Sequence, residues 1–309
     1  MKDESNVPLT KTIFYDFIRA MTNQTQTKKS GIAVLVGRSN VGKSTLLNAL
    51  VGTKVAITTP KPQTTRLPIH GILTTDEGQI VFVDTPGIFK NAKDALSKKL
   101  NSSIRRSLED VHVIIYVADP TRAIGDEEKE LLRMIETLEI PKILVINKID
   151  LEKKPFVDFY RDLAPKFSQV FELSAINNAH IKPLIRAIFS LIPQGGLMYP
   201  EFQFTNLENK KWIAELIREK LFLRLRQEIP YTLTVEVDEI EERENGVLYI
   251  HARILTTEDR YQRIIIGKGA RGVKEIGQST RKELETAMNR KIFLDLIVDV
   301  DPHWVERME

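Results

Sequence analysis

Apolar residues along this chain change their spacing twice, and each change opens a stretch with a different architecture. In residues 1–30 the background is polar, and Phe14, Phe17, Ile18 and Met21 recur at i, i+3, i+4, i+7, the spacing of one helical stripe. From Gly31 short apolar runs alternate with helical patterns. Ile32–Val36 predicts a buried strand, followed by a glycine-rich turn and a helix over Lys43–Val51 with Gly52 as C-cap. Pro68–Thr75 and Gln79–Val83 predict a hairpin around Asp76-Glu77-Gly78. Further strands are expected at Val111–Ala118, Lys142–Asn147 and Gln169–Leu173, with helices at Asp126–Leu138, near Phe156–Phe167 and at Ile181–Leu191. Strands alternating with helices make a mostly parallel sheet covered on both faces, and the hairpin adds one antiparallel edge strand.

Pro193-Gln194-Gly195-Gly196 and Tyr199-Pro200 interrupt this alternation, and beyond them the order of elements changes. A helix is expected over Asn209–Gln227, with Trp212, Ile213, Leu216, Ile217, Leu221 and Leu225 on one face and Trp212 in the core. Strands at Tyr231–Glu241 and Val247–Thr257 hinge at Asn245-Gly246. A helical stretch from Tyr261 to Asn289 breaks at Gly267-Lys268-Gly269, and Lys291–Val300 is a last strand. The expected division is an N-terminal extension 1–30, an α/β domain 31–193, a linker 194–208 and an α-β-β-α-α-β domain 209–304.

Composition narrows the chemistry. The 309 residues suit about two domains, and 42% hydrophobic residues can fill two cores. With no cysteine, disulfide scaffolds, cysteine-ligated metals and thiol catalysis are excluded. The longest apolar runs, such as Val113–Ala118, are far shorter than the roughly 18 residues of a membrane span. Met-Lys-Asp-Glu-Ser at the N-terminus has no apolar run behind it, so the expected setting is the reducing cytoplasm. Residues 201–309 carry 18 Lys and Arg against 21 Asp and Glu, which leaves 27 against 21 in residues 1–200. The second domain is therefore not basic as a whole, and any nucleic-acid contact there needs a local patch. His70, His112, His180, His251 and His303 lack metal-ligand spacing and are read as structural, while Trp304 is left as either core or RNA-stacking.

Gly37-Arg38-Ser39-Asn40-Val41-Gly42-Lys43-Ser44, followed by Thr45, fits G-x-x-x-x-G-K-[ST] between a strand and a helix. Such a loop curls its N–H groups around a phosphate chain at a helix N-terminus. Lys43 would reach the β- and γ-phosphates and the Ser44 hydroxyl would ligate Mg²⁺. Asn147-Lys148-Ile149-Asp150 ends a strand, where nucleotide sites form in open α/β sheets. A carboxylate at Asp150 would accept two hydrogen bonds from guanine, a donor pair that adenine lacks. Asp84-Thr85-Pro86-Gly87 ends another strand, with Asp84 placed for Mg²⁺ and the Gly87 N–H for the γ-phosphate. Ser174-Ala175 would meet the base through backbone N–H groups.

These four motifs, in this order and spacing, resemble the GTPase domain of the translation-factor class, and Gln63-Thr64-Thr65-Arg66 with the second domain narrows the resemblance to the Era family. The resemblance runs from about Gly31 to Trp304 and implies a P-loop GTPase domain followed by a type II KH domain. It assigns Thr65 to the Mg²⁺ shell, with Thr64 as the alternative, switch I to Lys54–Leu67 and switch II to Gly87–Leu96. Many GTPases orient the attacking water with a Gln where this chain has Ile88, so it resembles the hydrophobic-substituted members. Some of those hold K⁺ with a P-loop asparagine, here Asn40, which implies slow turnover that is faster in K⁺. Asn40, Lys43, Thr65 and Gly87 are thus the expected catalytic set.

Ile264-Ile265-Ile266-Gly267-Lys268-Gly269-Ala270 resembles the KH signature I-I-G-x-x-G, except that Ala270 replaces the second glycine. A tight turn between two helices there would press backbone N–H groups against single-stranded RNA. Arg260–Lys274 holds Arg260, Arg263, Lys268, Arg271 and Lys274 and no acid, with Ile266 at its centre. Glu236, Asp238, Glu239, Glu241, Glu242 and Glu244 form an acidic run elsewhere in the domain. The resemblance implies a monomeric GTP/GDP switch that binds 16S rRNA near its 3′ end in small (30S) subunit assembly. The alternative is a degenerate KH-like domain that binds a protein. The Phe14–Met21 stripe is read as packing on the protein, with peripheral contact at the cytoplasmic membrane face kept as the alternative.

Overall fold

Two strands with almost no polar residue, Val113–Ala118 and Lys142–Ile146, mark the centre of the first sheet, since only a strand covered on both faces can be apolar throughout. The computed structural model describes residues 28–59, 69–85, 110–226, 228–244, 246–288 and 290–307. In the first domain β1 (Lys29–Val36), β2 (Ile69–Thr75), β3 (Gly78–Asp84), β4 (Val113–Ala118), β5 (Lys142–Ile146) and β6 (Gln169–Glu172) form one sheet in the order β2-β3-β1-β4-β5-β6. All neighbours run parallel except β2, which pairs antiparallel with β3 at the edge, as the hairpin pattern predicts. Alternate residues of each strand feed two separate cores. Leu35, Ile115 and Val145 pack under α1 (Lys43–Val51) and α4 (Ile181–Leu191), whereas Val34, Tyr116 and Leu144 pack under α2 (Asp126–Glu136) and α3 (Val157–Asp162). The helix expected near 156–167 is shorter than its pattern suggests, because Pro165 sits in a separate 3₁₀ turn, Ala164–Lys166.

Residues 194–206 are not a free tether. Gln194 bridges Lys29, and Ile72 N–H donates to Phe204 O at 2.9 Å, so the segment covers the β2 edge that would otherwise expose unpaired backbone groups. Gln79, fully buried, receives the Met198 and Tyr199 N–H groups, each at 2.9 Å.

The second domain has the expected order: α5 (Asn209–Arg224), β7 (Leu233–Glu242), β8 (Leu248–Thr256), α6 (Asp259–Ile266), α7 (Arg271–Met288) and β9 (Ile292–Val300). β8 pairs antiparallel with β7 and parallel with β9. Ile213, Leu216, Ile217 and Leu221 of α5 join Ile276 and Leu284 of α7 over Leu233, Ile250 and Ile254 of the sheet. Each such side chain contributes about 1.5–3 kcal/mol when fully buried. Trp212 packs against this core as expected, but it is half-buried and also lines a cavity between the two domains. Trp304 is core, with its Nε1–H donated to Thr232 O at 3.2 Å. His112 and His70 are structural as expected, one bonded to Ile32 N–H and the other to the Tyr199 hydroxyl. No described helix is long and apolar enough to cross a membrane.

Candidate functional site

Because β1, β3, β4, β5 and β6 run parallel, their C-terminal ends open on one edge, and the motif residues gather there. The loop after β1 closes against the loop after β5. A Cβ at Gly42, whose φ is +99°, would lie 2.4 Å from Asn147 Nδ2, so only glycine fits between the two motifs. Asn147 Nδ2 donates to Val41 O at 2.9 Å, and its Oδ1 accepts the Ala175 N–H at 3.0 Å. One side chain thus joins the phosphate loop, the guanine motif and the end of β6.

α1 begins at Lys43, so its first-turn N–H groups and their partial positive charge face the phosphate site. Lys43 Nζ donates to Gly37 O and Arg38 O, both at 3.0 Å. Burial lowers its pKa to about 8, against the opposing pull of Asp84 and Glu128. A phosphate chain needs the charged form, so above pH 8 GDP must bring a proton with it. Titration calorimetry from about pH 7 to about pH 9 should show GDP affinity flat below 8 and falling towards tenfold per unit above it. Ser44 Oγ donates to Asp84 Oδ2 at 2.6 Å, and Asp84 is fully buried at the end of β3. A hydroxyl and a carboxylate at that spacing are the hard oxygen donors that suit Mg²⁺. Thr85 Oγ1 donates to Leu35 O at 2.8 Å and anchors the chain just past Asp84, while Thr45 continues the first turn of α1.

On the base side, Ser174 Oγ donates to Asp150 Oδ1 at 2.5 Å and orients the carboxylate. The Ser174 and Ala175 N–H groups, expected to meet the base, donate here to Ala179 O at 3.3 Å and Asn147 Oδ1 at 3.0 Å, so this turn also braces Asn147 and, through the Ser174 hydroxyl, Asp150. The Arg38 guanidinium turns to Ala123 O at 2.9 Å and Glu128 at 3.2 Å, leaving its backbone to the phosphate loop. Ser39 O accepts from Arg122 at 2.8 Å, and Asn40 O accepts from Lys148 Nζ at 3.0 Å. Lys148 is held in turn by Asp119 Oδ2 at 2.5 Å. Sequence reasoning missed Asp119 and Arg122, although an acid closing the wholly apolar β4 repeats the placement of Asp84 after β3. Thr64, Thr65, Pro86, Gly87 and Ile88 lie outside the described residues.

A second functional surface lies at the α6–α7 turn, where Gly267, Gly269 and Ala270 all have positive φ, 71°, 61° and 58°. Ala270 therefore occupies a left-handed position that L-residues adopt at a cost of about 1–2 kcal/mol. Lys268, Gly269 and Ala270 are exposed, as are Arg271 and Lys274 on the first turns of α7, and Ile266 is half-buried beside them. Among the described residues Arg263, Lys268, Arg271 and Lys274 pair with no acid, whereas Arg260 is taken by Glu258 at 2.8 Å. A groove of about 420 Å³ runs from this turn to β9, lined by Ala270, Lys274, Gln278, Arg281 and Leu294.

Comparison with known proteins agrees with both surfaces. Residues 32–148 match the family model described as 50S ribosome-binding GTPase, and residues 228–305 match that of the KH domain. GTPase Era of Deinococcus deserti is 42% identical over 296 residues, covering 94% of this chain and 96% of that protein. GTPase Era of Halothermothrix orenii is 39% identical over 281 residues, covering 90% and 95%. Among solved structures, Era in complex with MgGDPNP and nucleotides 1506–1542 of 16S ribosomal RNA superposes with a TM-score of 0.85 at 36% identity, covering 91% of this chain and 96% of that one. An Aquifex aeolicus Era variant bound to GDP and AlF₄⁻ also gives 0.85 at 36% identity, covering 90% and 96%. A guanine-reading loop braced against a phosphate loop, joined to a KH turn and matched along nine-tenths of its length, places this chain in the Era family of GTPases.

Proposed function

We propose that this GTPase binds 16S rRNA near its 3′ end through the α6–α7 turn and acts, under control of its nucleotide, in assembly of the small ribosomal subunit in the cytoplasm. The observation that carries the proposal is the turn itself: acid-free and cationic, with its backbone exposed by three left-handed residues beside an open groove. Support comes from the Era complex with nucleotides 1506–1542 of 16S rRNA, which shares the fold. The acidic run lies on β7 and the turn after it, across β8 from the groove-lining β9, whose Asp295 is the one acid in the groove lining and is bonded to Tyr249 and His251.

In the nucleotide site, the N–H groups of Gly37–Ser44 cradle the phosphates, Lys43 neutralises charge on the β- and γ-phosphates, and Asp150 with Asn147 reads guanine. Ser44 and Asp84 hold Mg²⁺, which supplies charge neutralisation on the phosphates when bound. K⁺ would be held by Asn40, a neutral oxygen donor on a loop whose left-handed backbone (φ 65°) is braced by Lys148. Monomer state is part of the same proposal, and so is packing of the Phe14–Met21 stripe on the protein, with peripheral membrane contact as its alternative; the stripe lies outside the described residues.

The test titrates the protein, loaded with GDP or a non-hydrolysable GTP analogue, with a single-stranded RNA copying the 16S 3′ end at two salt concentrations. Nucleotide-dependent binding is expected, weakening by about 0.7 log units per log salt for each phosphate neutralised. No binding in either state would leave the KH domain to a protein partner. Single-turnover hydrolysis faster in KCl than in NaCl, with the difference lost in Asn40→Ala, would support K⁺; equal rates would remove it.

A further inference from the structure

One buried carboxylate reaches three consecutive residues of the phosphate loop, Arg38, Ser39 and Asn40. Asp119 directly follows β4 and is 2% exposed, and each of its two oxygens has a separate task. Oδ2 accepts from Lys148 Nζ at 2.5 Å, and the same ammonium donates to Asn40 O at 3.0 Å. Oδ1 accepts the Thr121 N–H at 3.0 Å and the Thr121 hydroxyl at 2.6 Å, which bends the loop between β4 and α2. Beyond that bend Arg122 donates to Ser39 O at 2.8 Å, and Ala123 O accepts from the Arg38 guanidinium at 2.9 Å. In a trans peptide each N–H points away from the carbonyl before it. Holding the Ser39 and Asn40 carbonyls on the outside of the loop thus turns the Asn40 and Val41 N–H groups inward, where such a loop takes its phosphates. Asn40 and Lys148 both sit in the left-handed region, with φ of 65° and 64°. A residue with a Cβ keeps that conformation only where its surroundings hold it there.

We propose that Asp119 is a positioning residue for nucleotide binding, one that sets the phosphate loop for GDP and GTP alike. Its effect is indirect: it acts through Lys148 on Asn40, and through the Thr121 bend on Ser39 and Arg38. Without the carboxylate, Lys148 loses its counter-charge and no longer holds the Asn40 carbonyl in place. The loop then relaxes from its left-handed turn, and its inward N–H groups must be ordered again each time a nucleotide binds. Both nucleotides rest on the same N–H groups, so the loss is equal for the two. In bound GTP those contacts are already made before the chemical step, so hydrolysis is spared. That split marks an interaction of equal strength in the ground state and the transition state. A residue that only stabilised the fold would lower the melting temperature and leave dissociation of bound nucleotide unchanged.

The experiment follows dissociation of a fluorescent GDP and of a fluorescent non-hydrolysable GTP analogue from the full chain. It compares wild type with Asp119→Ala, Asp119→Asn and Arg122→Ala, and adds single-turnover hydrolysis at saturating GTP and a melting curve for each. Asp119→Ala should speed the dissociation of both nucleotides about thirtyfold, while the hydrolysis rate stays within about threefold of wild type. Asp119→Asn keeps one oxygen as an acceptor and should recover part of that loss. Arg122→Ala removes only the contact to Ser39, from an exposed side chain, and should speed dissociation about threefold. Because Asp119 shapes the bend that aims Arg122, the two alanines together should cost less than the product of the singles. Dissociation unchanged in Asp119→Ala would overturn the proposal, whatever the melting temperature does. So would faster loss of one nucleotide but not the other, or a hydrolysis rate that falls in step with the faster dissociation. Should Asp119→Ala fail to fold, Asp119→Asn and Arg122→Ala carry the test, and wild-type dissociation in both would overturn the proposal.

Discussion

Asp150→Asn should lower GTP affinity about a thousandfold while making the protein accept xanthosine triphosphate. The carboxylate can take two hydrogen bonds from guanine, one from N1–H and one from the exocyclic amine. Hydrogen bonds to a charged group are worth about 1.5–3 kcal/mol each, so losing the pair spans two to four powers of ten. An asparagine keeps one acceptor but turns its NH₂ towards the guanine amine, setting donor against donor. Xanthine carries a carbonyl in place of that amine, so the same NH₂ finds a partner. Ser174 Oγ, 2.5 Å from Asp150, can donate to the amide oxygen as it does to the carboxylate, which preserves the orientation of the side chain. The phosphate loop is untouched, and xanthosine triphosphate turnover should stay within about threefold of wild-type GTP turnover. Competition binding of the two nucleotides decides the matter; equal loss for both would mean that Asp150 does not read the base.

Gly272→Ala should disable the KH domain and leave the GTPase domain intact. A Cβ at Gly272 would lie 2.2 Å from Ile265 O and 2.9 Å from Ile266 O, both main-chain atoms. Backbone cannot step aside as a flexible side chain can, so α6 and α7 must separate where they hold the turn between them. Overpacking of this kind typically costs about 1–3 kcal/mol, and more where rigid backbone is the obstacle. The expected result is a lower first transition in a two-step melt, RNA binding lost, and GDP affinity within twofold of wild type. Gly269 is the control. Nothing lies within 4 Å of a Cβ there, so alanine should cost only the left-handed penalty of about 1–2 kcal/mol.

Where pattern and physics coincide, the chain is legible along both domains. The apolar run of β4 and the spacing of α4 leave one packing solution each, because a strand apolar throughout must be covered twice and an amphipathic helix must be covered once. The phosphate loop and the guanine motif are legible for a related reason: their chemistry requires particular residue types at fixed local spacing. Features that depend on what lies across the fold are less so. Trp212 sits on the apolar face of α5 yet is half-buried, because that end of the helix borders the other domain. Arg38 lies inside the phosphate-binding motif, but its guanidinium belongs to Glu128, ninety residues further on.

Local spacing alone was enough to establish a phosphate-binding loop, a guanine reader and a KH-type turn, since each is built from neighbours in sequence. The tertiary structure alone decided that the Ala175 N–H braces Asn147, that Arg122 directly and Asp119 through Lys148 hold the phosphate loop, and that the Glu219 carboxylate of the second domain grips Lys54 and Thr58. The partners in the last contact are 165 and 161 residues apart, and neither carries a local mark of the other. A buried carboxylate and an exposed one look alike in sequence; only the packing around Glu219 removes the water that would otherwise compete for its oxygens.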